Sequence, residues 1–515
     1  MLHRSPGLLL ILTALVGCGV TQAIPNLEEI YGQAAELQGP ERLPLIGLPG
    51  TLGSRLVDVE TGTEVWGRSD GLSVIPTDPA DYRLIALPVG DGTTPNRDLR
   101  DSVRPAGVLQ RAYPEVLGVP VEVEVYAKLR ETVQLGGWIT HEDPLIVAQA
   151  DQSAAAPIPP IDANSFPFAY DWRRDLVTLV RDLDAHVRQK SEQVALRAAT
   201  TFDHDGPVQF NLLAHSMGTL ITRYYLMYGT QDLPEDGSLP ELTWEGARHF
   251  NSVILIAPPN AGSITALENL VNGKSLGPLQ PYYSAALIGT HFSTYALMPR
   301  NRHQRVLWSD TQEPVADIYD PELWLRMGWG LADPEAAEEL AVWMPDVADP
   351  EERRRRAIGF QAEALMRARQ LHAALDRPVE ALPPGLDLYL VIGGSHPTPA
   401  TAEIDRETGE VFVTGYEEGD GVVLRASSLL DERQGTAYRI GLRTPLKWSS
   451  VLFLPEEHVE LTQSAVFGDN LLFWLLQGQR TYDQPDTLPN GPLQALPLLT
   501  SGVETQQFRS EDADR

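Results

Sequence analysis

Cysteine is all but absent: Cys18 is the only one among 515 residues, which excludes an intrachain disulfide framework. Positive charge is also short. Forty Lys and Arg stand against 70 Asp and Glu, a formal charge of -30 at pH 7. That balance argues against a nucleic-acid partner and against polybasic attachment to anionic lipid, so any membrane contact must come from apolar surface or a covalent lipid. The N-terminal apolar stretch, Gly7 to Val16, has ten residues, whereas a helix that spans a bilayer needs about 20. Neither a Cys/His metal spacing nor a phosphate-loop motif occurs, and there is no internal repeat.

What is present begins with a leader. Met1-Leu2-His3-Arg4 carries positive charge, Gly7 to Val16 fits a signal-peptide core, and Leu15-Val16-Gly17-Cys18 closes it. The ending resembles a bacterial lipobox, in which Cys18 receives a diacylglyceryl group and becomes the mature N-terminus. A plain signal peptide with an incidental cysteine is the blander reading; a lone thiol with nothing to pair with favours the lipid. Each buried methylene contributes about 0.8 kcal/mol, so two or more chains hold a protein on a membrane stably. Gly19, rather than Asp, after the cysteine favours the outer membrane. Residues 1–17 are thus expected as a lipoprotein-type signal peptide and 18–42 as a lipidated tether, helix-like from Asn26 to Leu37. The expected location is exported and membrane-anchored, at a bacterial outer membrane or its periplasmic face.

The chain is organised around Val208 to Leu226. A short apolar run reads as a buried strand, breaks at His215-Ser216-Met217-Gly218, and continues with apolar residues at helical spacing. In such a strand–turn–helix the residues two places either side of the serine crowd both backbones and must be small, as Ala214 and Gly218 are. The corner would expose the Ser216 hydroxyl above the sheet and aim the first helical amides at whatever it attacks. An ordinary strand-to-helix loop is the alternative.

Apolar runs at Leu43 to Leu48, Phe250 to Ile256, Leu386 to Ile392 and Val451 to Leu454 read as further buried strands. Helical segments end near Ala199 and run from Tyr126 to Leu135, Glu351 to Leu375 and Ser464 to Leu476. The expected class is α/β, with a mostly parallel central sheet flanked by helices over residues 43–476. Two insertions interrupt it: an irregular cap at about 57–125, rich in Pro, Gly and Asp, and a lid at about 264–384. Inside the cap, Val119 to Val125 alternates like a half-buried strand; inside the lid, Leu323 to Trp329 is aromatic and reads as core more readily than as a lipid-facing surface. His372 falls on an apolar helix face as a core histidine, Asp171 is placed as an N-cap, and Glu403 to Val413 looks like a hairpin. Asp151 to Pro160 reads as a surface loop and 477–515 as a polar, disordered tail.

A serine hydroxyl is a weak nucleophile unless an imidazole takes its proton and a carboxylate orients that imidazole. In hydrolases built on a mostly parallel sheet, the partners follow in the order serine, acid, histidine at the carboxyl ends of strands. Beyond position 396 the chain has one histidine, His458, just after the last strand. For the acid, Asp420 in its Gly419-Asp420-Gly421 corner is favoured, with Asp405 in a hairpin turn as the alternative to exclude. An oxyanion needs two converging amides. Met217 would supply one, and Thr51, in the Gly-rich turn after the first core strand, the second, with Leu52 as fallback. Acyl transfer through serine needs no cofactor, and neither cofactor nor metal is expected.

Several blocks now stand in order: Pro49 to Leu56, Ala169-Tyr170-Asp171-Trp172-Arg173, Ala214 to Gly218, Ala257 to Ser263, Pro397-Thr398-Pro399 and Gly419 to Val423. This series resembles the lecithin:cholesterol acyltransferase family, which includes lysosomal phospholipases and phospholipid:diacylglycerol acyltransferases. The resemblance covers about 43–476. It implies an α/β-hydrolase fold with cap and lid, a Ser216, Asp420, His458 triad, and acyl-ester chemistry on lipids, by hydrolysis or by transfer to an alcohol. Ala214 stands where Gly or Pro is usual, Thr51 where relatives often carry Cys or Asp, and the cap lacks the cysteine pair of the animal members. A non-catalytic lipid-binding or scaffold lipoprotein on a hydrolase fold is the reading from another class.

Overall fold

Apolar runs that must be covered on both faces pair as parallel strands, because helices on each side leave no solvated face. A computed structural model of the chain describes residues 24–36, 39, 42–67, 79–112, 115–116, 119–120, 123–140, 163–275, 282–300, 305–432 and 441–478. Cys18 and its leader, the Asp151 to Pro160 loop and the tail beyond Gly478 lie outside them.

The central sheet has six strands: β1 Leu45–Leu48, β2 Ser165–Pro167, β3 Phe210–His215, β4 Phe250–Ile256, β5 Asp387–Gly393 and β6 Ser450–Leu454. Their order is β6-β5-β4-β3-β1-β2, and every pair is parallel. Six helices matter here: α1 Leu27–Glu36, α2 Ala127–Leu135, α3 Leu176–Phe202, α4 Met217–Tyr228, α5 Pro350–Leu375 and α6 Ala465–Leu476. The two-residue period of a strand divides the core. Leu213, Ile254 and Val391 join Tyr31, Val133 and Leu471 on one face, while Leu212, Val253 and Leu390 join Val180, Ile221 and Phe360 on the other. This is an α/β-hydrolase fold, with the serine-bearing β3 inside the sheet.

Several local expectations change. α3 is capped by Asp175, which accepts the Thr178 amide at 2.9 Å, rather than by Asp171, whose buried carboxylate is taken by arginines. The helix expected in the tether is present as α1 and is docked: Tyr31 is buried and donates to Asp469 of α6 at 2.8 Å, so this part of 18–42 belongs to the fold. The cap is less irregular than expected. Ser54–Asp58, Glu64–Trp66 and Val103–Val108 form an antiparallel sheet because Leu56, Val65, Trp66 and Val103 share an apolar interior. The alternating Val119 to Val125 stretch makes only two-residue pairings among its described residues.

In the second insertion, Trp324 and Trp329 are buried edge to face with ring centroids 5.4 Å apart, so that stretch is core. His372 is enclosed as well, between the Tyr319 hydroxyl at 3.0 Å and the Ala296 carbonyl at 2.7 Å. His396–Ile404 and Val411–Gly419 pair antiparallel as the expected hairpin. Among the described residues no helix is long and apolar enough to cross a membrane.

Candidate active site

β3 ends at His215 and α4 begins at Met217, leaving Ser216 between them at φ 52° and ψ -125°. A left-handed φ costs a non-glycine residue on the order of 1–3 kcal/mol unless its surroundings impose it. Here they do. The Ser216 amide donates to Ile256 at the end of β4 at 2.8 Å, and its carbonyl accepts Thr219 at 3.0 Å. The flanks crowd as the sequence requires: a Cβ on Gly218 would stand 2.6 Å from the Pro49 carbonyl oxygen, and Ala214 is fully buried.

Three side chains that are distant in sequence line up above this corner. Ser216 Oγ lies 2.9 Å from His458 Nε2, and His458 Nδ1 lies 2.8 Å from Asp420 Oδ2. A carboxylate can only accept, so Nδ1 carries the hydrogen and Nε2 is left free to accept from the serine. The second Asp420 oxygen accepts the amides of Val422 and Val423 at 3.0 and 2.7 Å. Burial opposes the charge on Asp420, but His458 and these amides outweigh it and hold its pKa below the ordinary value. Asp405 lies elsewhere: its carboxylate accepts the Glu407 and Thr408 amides, both at 2.8 Å, inside the hairpin turn.

The acid turn is braced by two of the blocks that carry the resemblance. Thr398 accepts the Gly421 amide at 2.9 Å, and Ser263 donates to the Val422 carbonyl at 2.6 Å. Gly393, at the end of β5, leaves room for the acid, since a Cβ there would be 2.5 Å from that of Asp420.

Opposite the serine is the turn after β1, where Leu52 takes φ 63°. Among the described residues no acceptor takes the Thr51 or Leu52 amide, and Met217, first in α4, has no helical acceptor for its own. The Thr51 hydroxyl meets Met217 Sδ at 3.3 Å, so the side chains of these two residues are in contact. The turn is held through its carbonyls: Tyr170 donates to Pro49 at 2.6 Å, Trp66 to Leu52 at 2.8 Å, and Trp172 to Ser54 at 3.2 Å. Asp171 fixes that aromatic block by pairing with Arg173 and Arg174, each at 2.8 Å. Burial works against its charge, yet the two arginines hold its pKa down to about 2.

Sequence reasoning missed Trp66, Tyr126, His215 and Ser263 as neighbours of this site. His215 and Ser263 lie inside the motif blocks, and Trp66 and Tyr126 in none; in each case the contact itself follows from packing and not from a local pattern.

A serine on a strained strand–helix corner, hydrogen-bonded to an imidazole that is itself held by a buried carboxylate, is the arrangement that nucleophilic acyl chemistry at a serine requires. Residues 161–326 match the model of the family described as lecithin:cholesterol acyltransferase, the same family that the motifs resemble. The matched stretch contains Ser216 but neither Asp420 nor His458. No curated protein matches the chain. Solved structures similar to it include that titled the crystal structure of the Tle4–Tli4 complex, at 16% identity and TM-score 0.46, covering 84% of this chain and 99% of that one. Lipase 1 from Pelosinus fermentans is similar at 14% identity and TM-score 0.28 over 85% and 99% of the two chains. EstA from Clostridium botulinum is similar at 11% identity and TM-score 0.30 over 90% and 100%.

Proposed function

We propose that this protein is a serine-dependent lipid acyl hydrolase or O-acyltransferase that works through an acyl-enzyme on Ser216. The observation that carries the reading is the unbroken line from Asp420 through His458 to Ser216, at 2.8 and 2.9 Å. Ser216 Oγ bonds to the acyl carbon while His458 Nε2 takes its proton. The ester C–O bond then breaks, and Nε2 returns that proton to the departing alcohol. Water or a second alcohol reverses the sequence and carries the acyl group away. Asp420 keeps the imidazole in one tautomer and stabilises its charged form, and the Thr51 and Met217 amides would receive the oxyanion, each worth about 2.7–4 kcal/mol. The family match over residues 161–326 supports an acyl lipid as the substrate class.

A fluorophosphonate probe tests the nucleophile. Wild type should be labelled and Ser216→Ala should not; equal labelling of the two, or none of either, sinks the reading. A phospholipid labelled in its acyl chain, supplied with and without sterol or diacylglycerol, separates hydrolysis from transfer: the label appears as free fatty acid or as a new ester. Location is part of the same proposal, with Cys18 lipidated and the enzyme held at a bacterial outer membrane or its periplasmic face. Metabolic labelling with a fatty acid should tag wild type and spare Cys18→Ser, and tagging of both would remove the anchor.

A further inference from the structure

His215, the residue before the nucleophile, is buried and stands outside the Asp420–His458–Ser216 line. Its ring lies 4.9 Å from that of His458, and its Nε2 is 3.0 Å from the His458 backbone carbonyl. A carbonyl only accepts, so Nε2 carries the hydrogen. Burial first, then the neighbouring His458, pushes the His215 pKa down to about 3, which leaves the ring neutral and Nδ1 a bare acceptor. The group facing Nδ1 is the Tyr126 hydroxyl, 2.8 Å away. With its hydrogen committed there, the phenol oxygen accepts the Gly50 amide at 2.7 Å. Every hydrogen therefore has one place: Gly50 N–H to Tyr126, Tyr126 O–H to His215, and His215 Nε2–H to the His458 carbonyl.

Tyr126 is firmly seated. The amides of Val125, Tyr126 and Ala127 converge on the Gln110 carbonyl at 2.9, 3.1 and 3.2 Å. From the residues after His458, Thr462 and Gln463 reach back to the carbonyls of Val125 and Glu124 at 3.3 and 2.9 Å. The turn that carries Thr51 and the corner that carries Ser216 thus meet at one buried phenol, and the loop that carries His458 joins them through the His215 ring.

We propose that Tyr126 and His215 are positioning residues that tie the oxyanion turn to the backbone of the base, so that the oxyanion donors and the imidazole keep one spacing across Ser216. The inference rests on Ser216 being the nucleophile. Tyr126 touches no reacting atom and acts through Gly50 and His215. Removing its hydroxyl strands two buried groups, the Gly50 amide and His215 Nδ1, and frees the turn to shift; a displacement of about 1 Å in such a site can cost on the order of 10²-fold in rate.

Tyr126→Phe, His215→Asn and the double variant, assayed on an activated ester, test it. Tyr126→Phe should lower kcat roughly 10- to 100-fold with KM unchanged. The double variant should be no slower than the slower single one, because residues that act as a unit do not add. Wild-type kcat in Tyr126→Phe, or losses that multiply, would overturn the proposal. A second readout does not depend on turnover: with 15N-labelled histidine, His215 should be a neutral Nε2–H tautomer whose Nδ1 resonance moves in Tyr126→Phe. An Nδ1–H tautomer would overturn the network even in an active enzyme. Labelling of Ser216→Ala by a fluorophosphonate would remove the nucleophile and leave the tautomer measurement to decide the bonding.

Discussion

Gly50 and Ser216 meet so closely that a Cβ on the glycine would stand 2.7 Å from Cβ of the serine and 3.3 Å from its hydroxyl. Both backbones are anchored, so neither can yield cheaply. Gly50→Ala should therefore fold, with unchanged circular dichroism, and lose on the order of 10²-fold in kcat by displacing the nucleophile or the turn beside it. Activity near wild type would show that the contact relaxes without consequence.

The two aspartates weighed for the acid separate cleanly. Asp420→Asn keeps the shape but can donate to His458 where the carboxylate accepted, which stabilises the wrong tautomer and should lower kcat by about 10⁴-fold. Asp405→Asn alters a hairpin turn and should leave turnover unchanged. Comparable losses in both variants would dissolve the assignment.

Asp171 offers a stability test away from the reacting atoms. Arg173 is fully buried and donates to both Asp171 oxygens, and Arg174 donates to one of them. Asp171→Asn leaves buried cations short of a counter-charge, which should cost about 3–5 kcal/mol in a urea titration at neutral pH. An unshifted midpoint would mean that Asp101, which also pairs with both arginines, is sufficient alone.

Acid should unfold the protein early. Burial, reinforced by His458, Arg173 and Arg300 respectively, lowers the pKa of His215, His291 and His372 from 6.5 to about 3, 4 and 3. Above pH 6.5 neither the folded nor the unfolded chain holds these protons, and stability is unaffected. As pH falls from 6.5 towards 4 the unfolded chain takes them up and the native state does not, so unfolding is favoured by about 2 kcal/mol per histidine at pH 5. Urea midpoints measured from pH 7.5 to pH 5 should fall accordingly, and the fall should be shallower in His372→Gln. A flat profile would mean that these rings are hydrated in solution.

The sequence by itself determined the corner and five of the six central strands; β2, three residues long and ending in a proline, left no periodic pattern to read. Apolar runs of strand length admit few alternatives, and only a turn with Ala214 and Gly218 flanking the serine leaves space at both backbones. His458 was legible because no other histidine follows position 396, and the fold follows from runs that must be buried on two faces. The Gly-Asp-Gly corner favoured Asp420 over Asp405 in the sequence, and tertiary structure brings only the Asp420 turn to the imidazole. Tertiary structure also moved the α3 cap to Asp175, because Asp171 is claimed by two arginines whose approach no local pattern announces. The role assigned to Tyr126 is of the same kind. A tyrosine opening a helix is unremarkable in sequence, and only packing brings its hydroxyl within 2.7 Å of the Gly50 amide and 2.8 Å of His215. Periodicity records which side chains turn inward; which of them meet depends on how the strands and helices pack, and that is set by the whole chain at once.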